Sequence, residues 1–289
     1  MDKIMICIIG SGNWATTIAR NVGRNVMNSQ TLDEKVPMYV YEEIVDGRKL
    51  TEIINTTHIN AKYMPNFELP PNIIPCSVLV GCNLPYELAH DHFAEGTVGC
   101  RDQKYYRVLH DIFKSPTFRV VVTEDADCVE ICSTLRNIIA FAAGCSDGME
   151  LNENTKGGII RRGFLEMLQF VDVFYPGCRM GTFFESCGIS DLVTSCYANR
   201  NRKLAEAFVK TGKPLSELEH ILIPGHEPLG PVTAELVHHM LKKKGLEDKF
   251  PLFTCVYRIC TGDYPLHRLV ETLIKAREDI FHPLHTFQL

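Results

Sequence analysis

The chain has 289 residues, long enough for two domains, and its 45% hydrophobic and 22% charged composition excludes a disordered, collagenous or low-complexity protein. The formal net charge of −5 gives no general attraction for nucleic acid or for an anionic membrane surface. We therefore expect neither partner, and any phosphate-binding site must be local.

Two further sequence features bear on the class of protein. The longest apolar stretch, residues 128–144, is interrupted by Glu130 and Arg136 and falls short of the roughly 20 apolar residues that a membrane span needs. The twelve cysteines are scattered, without a CxxC pair or a short secreted framework, which indicates reduced thiols. We expect a soluble cytoplasmic protein without a bound metal.

The first third of the chain alternates strand and helix signals. Ile4–Ile9 is a continuous apolar run typical of a strand buried in a parallel sheet, and Asn13–Asn28 repeats apolar residues every fourth position, as one helix face does. A second short strand is predicted at Pro37–Tyr41 and a helix at Ile44–Asn55. Asn66–Pro75, rich in proline, is predicted to be a loop with a stub of strand.

Two more strands are predicted at Ser77–Val80 and Phe118–Val122, separated by a helical segment around Tyr105–Phe113. After residue 123 every predicted element is a helix. The predicted helices are Ala126–Ala143, Gly158–Val173, Ser190–Tyr197, Arg202–Lys210, Val232–Lys244, Leu252–Cys260 and Leu266–Ile274. Gly212 and Gly245 follow lysine-rich helix ends and are predicted C-caps.

The turn after the first strand matches the dinucleotide-binding pattern GxGxxG/A. In that pattern Gly10 permits the tight turn, Gly12 lets a pyrophosphate approach the backbone, and Ala15 keeps the helix close to the strand. Free N–H groups at the helix start face the anion. The predicted cofactor-binding positions in the turn are Gly10, Ser11, Gly12, Asn13, Trp14 and Ala15.

The acidic pair Glu42 and Glu43 follows the second predicted strand, next to Tyr41, which is a further predicted cofactor contact. A carboxylate here accepts a hydrogen bond from a ribose 2′-hydroxyl and repels a 2′-phosphate, which favours NAD over NADP. The alternative interpretation is that Glu42 and Glu43 are solvent-exposed residues at the start of a helix, without a role in cofactor binding. The predicted fold is α/β, with a Rossmann-like parallel sheet domain at residues 1–123 and an all-helical domain at residues 124–289.

Several strings resemble NAD-dependent glycerol-3-phosphate dehydrogenases of the eukaryotic cytosolic type. They are GSGNW at 10–14, KLTEIINTTH at 49–58, ESCGISDL at 185–192, NRNRKLAEAF at 199–208 and KFPLF at 249–253. The resemblance implies an oxidoreductase that transfers a hydride between NADH and dihydroxyacetone phosphate, giving sn-glycerol 3-phosphate. It also implies a homodimer, with the all-helical domain at residues 124–289 binding substrate and supplying the subunit contact.

The resemblance also implies roles for individual residues. Arg200 and Asn201 correspond to the family's phosphate-binding pair, which suits a guanidinium and an amide donor, and Arg200 is also expected near the cofactor. Asn83, just past a predicted strand, is a further substrate contact. Asp191 and Ser195 lie four apart on one helix face and are predicted to converge on the reacting group. Arg136 and Asn137 complete the predicted catalytic set, because a charge inside an apolar helix needs a partner or a cleft.

The chain departs from the family pattern in two main places. Arg136 stands where the family has a lysine that protonates or polarises the substrate carbonyl, and an arginine holds its proton too tightly to act as an acid. Between Pro75 and Cys76 the family carries further strand and helix units, so the N-terminal sheet is expected to be truncated. In the family's mobile loop, Glu227 and Leu229 replace a lysine and a glutamine.

These departures leave three interpretations open. The chain is an enzyme of impaired activity, a catalytically inactive binding protein or dimer partner derived from the family, or an exon-skipped product of a full-length enzyme. The retained Asp191, Arg200 and Asn201 favour the first interpretation. Arg136 and the gap at Pro75 favour the second.

Overall fold

The computed structural model describes the chain except for residues 1–2, 4, 7, 10–11, 40–43, 46–47, 72, 76–84, 101–102, 224–227 and 276–289. The chain divides into two compact units, Met1–Ala126 and Asp127–Leu289, which we call the N-terminal and C-terminal units. The first carries parallel strands and the second is largely helical. The predicted fold class is confirmed.

In its described residues the N-terminal unit contains short strands and four α-helices. In chain order its elements are β1 (Ile8–Ile9), α1 (Asn13–Met27), β2 (Val36–Tyr39), β3 (Ile44–Val45), β4 (Arg48–Lys49), α2 (Leu50–Thr57), β5 (Ile59–Asn60), β6 (Met64–Glu68), β7 (Ile73–Pro75), α3 (Pro85–Ala89), β8 (Ala94–Gly99), α4 (Tyr106–Phe113) and β9 (Phe118–Thr123).

Three of these strands form a parallel sheet in the order β1-β2-β7. Ile8 lies opposite Met38 across the first pair, and β7 pairs with the other side of β2. The apolar face of α1 packs on this sheet, with Ile18 and Val22 buried in the same cluster as Ile8 and Met38. The strand and helix predicted on either side of the glycine turn are therefore present, although described β1 is shorter than the predicted Ile4–Ile9.

The region after β2 corrects two predictions. The helix predicted over Ile44–Asn55 begins only at Leu50, because β3 and β4 first form an antiparallel hairpin. The residues between these strands are Asp-Gly, a pair that favours two-residue hairpin turns over helix. The stub of strand predicted within the loop Asn66–Pro75 is confirmed as β7 (Ile73–Pro75), but the start of that predicted loop also belongs to strand, since β6 extends to Glu68 and pairs with β5.

A second parallel pair joins β8 to β9, in register from Ala94 opposite Phe118 to Gly99 opposite Thr123. The prediction of a strand at Phe118–Val122 is confirmed, but β8 was missed because its sequence, AEGTVG, has no apolar run. The strand predicted at Ser77–Val80 lies outside the described residues.

The described part of the C-terminal unit consists of helices around a main apolar core, with a smaller apolar cluster beside it. They are α5 (Ala126–Gly148), α6 (Glu153–Phe174), α7 (Met180–Phe183), α8 (Asp191–Ala198), α9 (Arg200–Thr211), α10 (Leu215–Leu222), α11 (Leu229–Lys244), α12 (Pro251–Cys260) and α13 (Arg268–Lys275), with a π-helical turn at Ser186–Ser190 before α8. The short helices α7 and α10 were not predicted. Gly212 and Gly245 have left-handed φ angles of 66° and 65° and end α9 and α11, which confirms both predicted C-caps.

Helix α5 is the centre of this core. Ile138, Ile139 and Phe141 are fully buried in it. Within the described part of the chain α5 is the one helix long and apolar enough to cross a membrane, and 67% of its apolar window is buried inside the protein. That burial is typical of a core helix, and it places the polar side chains of α5 among its neighbouring helices.

Candidate active site

The described part of the glycine turn leaves room for a ligand at the start of α1. Gly12 is the N-cap residue of this 15-residue helix, and no described atom lies within 4 Å of the position where a side chain at Gly12 would begin. Thr16 Oγ1 donates to the Gly12 carbonyl over 3.0 Å, and buried Asn60 donates to Thr16 Oγ1 over 2.8 Å. These bonds fix the helix start, whose free N–H groups suit a pyrophosphate.

The other predicted cofactor residues differ in what surrounds them. Ala15 is buried against the fold, and Trp14 meets the ring of Phe118 edge to face at 6.1 Å, so its side chain packs within the N-terminal unit. Asn13 is half-buried at the first helical position. Gly10, Ser11, Tyr41, Glu42 and Glu43 lie outside the described residues.

In the C-terminal unit the guanidinium of Arg136 joins two predicted catalytic residues. Its Nε forms an ion pair with Asp191, and its Nη1 donates to Ser195 Oγ over 2.6 Å. The Arg136 and Asp191 side chains are 13% and 6% exposed, so the pair is largely removed from water. Asp191 and Ser195 converge on one group, as their spacing predicts, and that group is Arg136 itself.

A π-helical turn sets the direction of α8 and so the position of Asp191. The turn spans Ser186–Ser190, and a side chain at Gly188 would begin 2.2 Å from the carbonyl oxygen of Phe183. Only glycine allows this close approach. Single π turns often occur at functional sites, and this one was missed because no sequence period marks it.

Asn201 connects two of the predicted catalytic residues, Asn137 on α5 and Ser195 on α8, through side-chain hydrogen bonds. It is buried, and its Nδ2 donates to Asn137 Oδ1 over 2.9 Å and to Asn199 Oδ1 over 3.2 Å. Its Oδ1 accepts from the backbone N–H of Gly230 over 2.9 Å. Asn199 in turn donates to Ser195 Oγ over 3.4 Å. A continuous chain of hydrogen bonds therefore runs from α5 through α8 and α9 to the start of α11.

Arg200 differs from its neighbour Asn201 in being exposed. It forms no ion pair with the residues that the structure describes, so its guanidinium is available to an anion. Asn199 precedes it as the N-cap of α9 and accepts from the Asn201 backbone N–H over 2.8 Å. Asn83, the remaining predicted substrate contact, lies outside the described residues.

The C-terminal unit contains a second buried cation that no sequence pattern predicted. Lys156 is 5% exposed, donates to both carboxylate oxygens of Asp147 over 2.9 Å, and lies 4.3 Å from the centre of the Tyr197 ring. Asp147 also accepts from Arg202 Nε over 2.6 Å, which ties α9 to α5. The sequence gives little signal for this cation, because α6 also carries Glu153, Arg161, Arg162 and Glu166.

The thiol beside Ser195 is not a proton donor for the substrate. Burial raises the pKa of Cys196, beside Ser195, to about 12, so this thiol stays protonated. Arg136 does not release its proton at neutral pH. This arrangement can stabilise negative charge through a guanidinium and a hydroxyl, but it offers no ready proton.

Comparison with known proteins gives two family-model matches. Residues 5–76 match the NAD-dependent glycerol-3-phosphate dehydrogenase N-terminus, and residues 125–271 match the C-terminus of the same family. The chain belongs to this family. A cytoplasmic NAD-dependent glycerol-3-phosphate dehydrogenase of Drosophila melanogaster is 43% identical over 341 aligned residues, covering 94% of each chain. The mouse protein of that name is 38% identical, covering 93% of this chain and 97% of its own.

Solved structures of the family also resemble the chain. A glycerol-3-phosphate dehydrogenase of Plasmodium falciparum superposes with a TM-score of 0.88 at 28% identity, over 96% of this chain and 97% of that one. The enzyme of Saccharomyces cerevisiae superposes with a TM-score of 0.84 at 29% identity, over 94% and 99%. Members of the family use NAD, so the NAD prediction is confirmed for the family, and the resemblance stated from sequence is confirmed.

Proposed function

We propose that this chain is an NAD-dependent glycerol-3-phosphate dehydrogenase with impaired turnover, which reduces dihydroxyacetone phosphate to sn-glycerol 3-phosphate in the cytoplasm. The observation that carries the proposal is the contact of Arg136 with both Asp191 and Ser195, with exposed Arg200 on the helix that follows α8. The cytoplasmic names of the relatives support the location.

Each residue would act through chemistry that its surroundings allow. The open space at Gly12 and the N-terminus of α1, with Gly10, Ser11, Asn13, Trp14, Ala15 and Tyr41, would hold the dinucleotide, which supplies the hydride when bound. Arg200, helped by Asn83 and Asn201, would bind the substrate phosphate. Arg136, oriented by Asp191 and Ser195 and flanked by Asn137, would stabilise the developing alkoxide electrostatically.

Proton transfer to the alkoxide is the step of this mechanism that we expect to be slow. A positioned general acid typically contributes about 10² to 10⁴ in rate, and Arg136 cannot act as one. Water would then protonate the alkoxide. This is the physical reason for expecting slow rather than normal turnover.

One observation favours a second candidate function, a catalytically inactive family member that pairs with another subunit through its helical unit. The Asp191 carboxylate is paired with Arg136, so part of the positive charge that would stabilise an alkoxide is already neutralised within the protein. The alignment with the Drosophila protein extends over 341 positions, more than the 289 residues of this chain, which fits an incomplete cofactor unit. A homodimer built on the helical unit fits either candidate.

NADH oxidation with dihydroxyacetone phosphate, followed by absorbance, tests the proposal. Slow turnover that saturates with substrate supports it, and turnover at a rate typical of the relatives contradicts the assigned role of Arg136. A fluorescence titration with NADH separates the candidates, because a chain that binds no NADH cannot be the enzyme.

A further inference from the structure

The first turn of α9 contains two arginines in different surroundings. Arg200 is exposed, whereas the Arg202 side chain is 18% exposed and is bonded to two carboxylates. Its Nε donates to Asp147 Oδ2 over 2.6 Å, and its Nη2 lies 2.8 Å from Glu206 Oε2. Arg202 is therefore anchored within the protein, and Arg200 is the arginine of this turn that a ligand can reach.

Asp147 joins α9 to two other helices. It lies near the end of α5, and both of its carboxylate oxygens accept from Lys156 of α6 over 2.9 Å. The Asp147 and Lys156 side chains are 17% and 6% exposed, so water competes little for this pair. Because Lys156 holds both oxygens, Asp147 presents a fixed acceptor to the Arg202 guanidinium.

Beside this pair, α5 and α9 approach each other closely through two glycines of α5. A side chain at Gly144 would begin 2.1 Å from the Arg202 carbonyl oxygen, and one at Gly148 would begin 2.9 Å from the Glu206 carbonyl oxygen. The two glycines lie four residues apart on one helix face. A face of glycines has no side chains to stop one helix sliding along the other, whereas a buried ion pair is directional, and fixing register is a known use of such pairs.

We propose that the ion pair between Asp147 and Arg202 fixes the register of α9 on α5, so that Arg200 and Asn201 of the same turn reach the substrate phosphate. Asp147 and Arg202 are positioning residues, which act on phosphate binding through Arg200 and Asn201. The identity of the phosphate compound rests on the proposed function. The anchoring of α9 on α5 rests on the contacts of these side chains alone.

Arg202→Gln in the full chain tests the proposal, because it removes the anchor of α9 and leaves Asp147 paired with Lys156. We expect the Kd for sn-glycerol 3-phosphate, measured by calorimetry, to rise on the order of tenfold. The KM for dihydroxyacetone phosphate should rise with it while kcat stays unchanged, a split that general destabilisation does not produce. An unchanged Kd would contradict the proposal.

Lys156→Met is the matched control, since it breaks the other ion pair of the same carboxylate. It leaves Asp147 bonded to Arg202, so α9 keeps its anchor. Urea unfolding should show a loss of stability in this variant, whereas the Kd for sn-glycerol 3-phosphate should stay at the wild-type value. If Lys156→Met weakened binding as much as Arg202→Gln, affinity would simply follow stability, and the proposal would be wrong.

The role of Asp147 is tested in a double variant, because Asp147→Asn alone would leave the Lys156 ammonium buried without a partner and prevent folding. Asp147→Asn combined with Lys156→Met removes both charges together and should bind sn-glycerol 3-phosphate as weakly as Arg202→Gln; wild-type affinity in it would contradict the proposal. A wild-type chain that binds this ligand without turnover would refute the proposed enzyme activity and leave the Kd comparison to decide the role of the ion pair. A wild-type chain that does not bind it would overturn both.

Discussion

The N-terminal unit offers a ligand open space at the start of one helix, whereas the C-terminal unit offers polar side chains that are already bonded to one another. At Gly12 no described atom approaches the position of a side chain. Around Arg136, Asp191 and Asn201 almost every polar atom has a protein partner. Substitutions in the first unit should therefore change binding alone, and substitutions in the second should change function and stability together.

The largest expected effect comes from restoring a transferable proton in the C-terminal unit. Arg136→Lys places an ammonium where the guanidinium pairs with Asp191. Because lysine can donate its proton, we expect the rate of dihydroxyacetone phosphate reduction to rise on the order of 10²-fold. NADH oxidation measures it.

Arg161→Lys is the control for this prediction, since Arg161 is an exposed arginine on α6. It should leave the rate unchanged. An unchanged rate for Arg136→Lys as well would mean that proton supply does not limit turnover, and the explanation would then lie in the N-terminal unit.

A smaller effect is expected where α5 and α9 cross. A side chain at Gly144 would begin 2.1 Å from the Arg202 carbonyl oxygen and 2.8 Å from Ala205 Cβ. Gly144→Ala should therefore force the helices apart and lower the free energy of unfolding by about 1 to 3 kcal/mol. It should also weaken binding of sn-glycerol 3-phosphate, because Arg202 lies in the same helical turn as Arg200.

Gly158→Ala is the matched control for the helix crossing. Gly158 is an exposed glycine within α6 with no atom near the position of its side chain. The same substitution there should raise the free energy of unfolding by about 0.5 to 1 kcal/mol, because alanine loses less conformational entropy in a helix. Urea unfolding compares the two, and equal destabilisation would show that the crossing is not tight.

Gly12→Ala tests whether a substitution in the N-terminal unit changes cofactor binding without changing stability. The added methyl group meets no described atom, so the free energy of unfolding should stay within about 0.5 kcal/mol of wild type. It would occupy the space left for a pyrophosphate, and the Kd for NADH should rise on the order of tenfold. A loss of stability with unchanged NADH affinity would make Gly12 a structural glycine.

The long elements of the molecule could be predicted from the sequence, whereas several short ones could not. Long periodic patterns predicted α5 and α6, and the four-residue spacing of Asp191 and Ser195 predicted that they converge. Strand β8 carries no apolar run, and the antiparallel strands from Ile44 to Lys49 lie in a segment whose apolar pattern predicts helix. Short elements are decided by pairing and turn chemistry, which periodicity does not report.

The candidate site also contains features that sequence patterns could not predict. The hydrogen bond from the Gly230 N–H to Asn201 joins residues 29 positions apart, and it depends on how two helices pack. The sequence indicated that the Arg136 guanidinium needs a partner or a cleft, but it did not identify Asp191 and Ser195 as the partners. Side chains that bond across helices become visible only once the helices are placed.

The smallest expected effect is a pH dependence of stability in the C-terminal unit. His238 on α11 is 7% exposed and its ring stacks on Tyr257 at 3.9 Å. Burial lowers its pKa, while Glu247 at 3.9 Å partly opposes that shift and the nearby cations Arg258 and Lys242 reinforce it. The folded protein therefore prefers the neutral imidazole.

Because the folded pKa lies below the unfolded value of about 6.5, the stability that His238 contributes is complete above that pH and is lost as the pH falls through the folded pKa. His238→Phe keeps the stacked ring and cannot titrate, so its free energy of unfolding should fall less than that of wild type between about pH 7.5 and about pH 5. His267→Phe removes an exposed histidine and should leave the wild-type slope in place. If both variants followed the wild-type curve, the acid sensitivity of the helical unit would originate in its carboxylates, and the neutral form of His238 would make no difference to it.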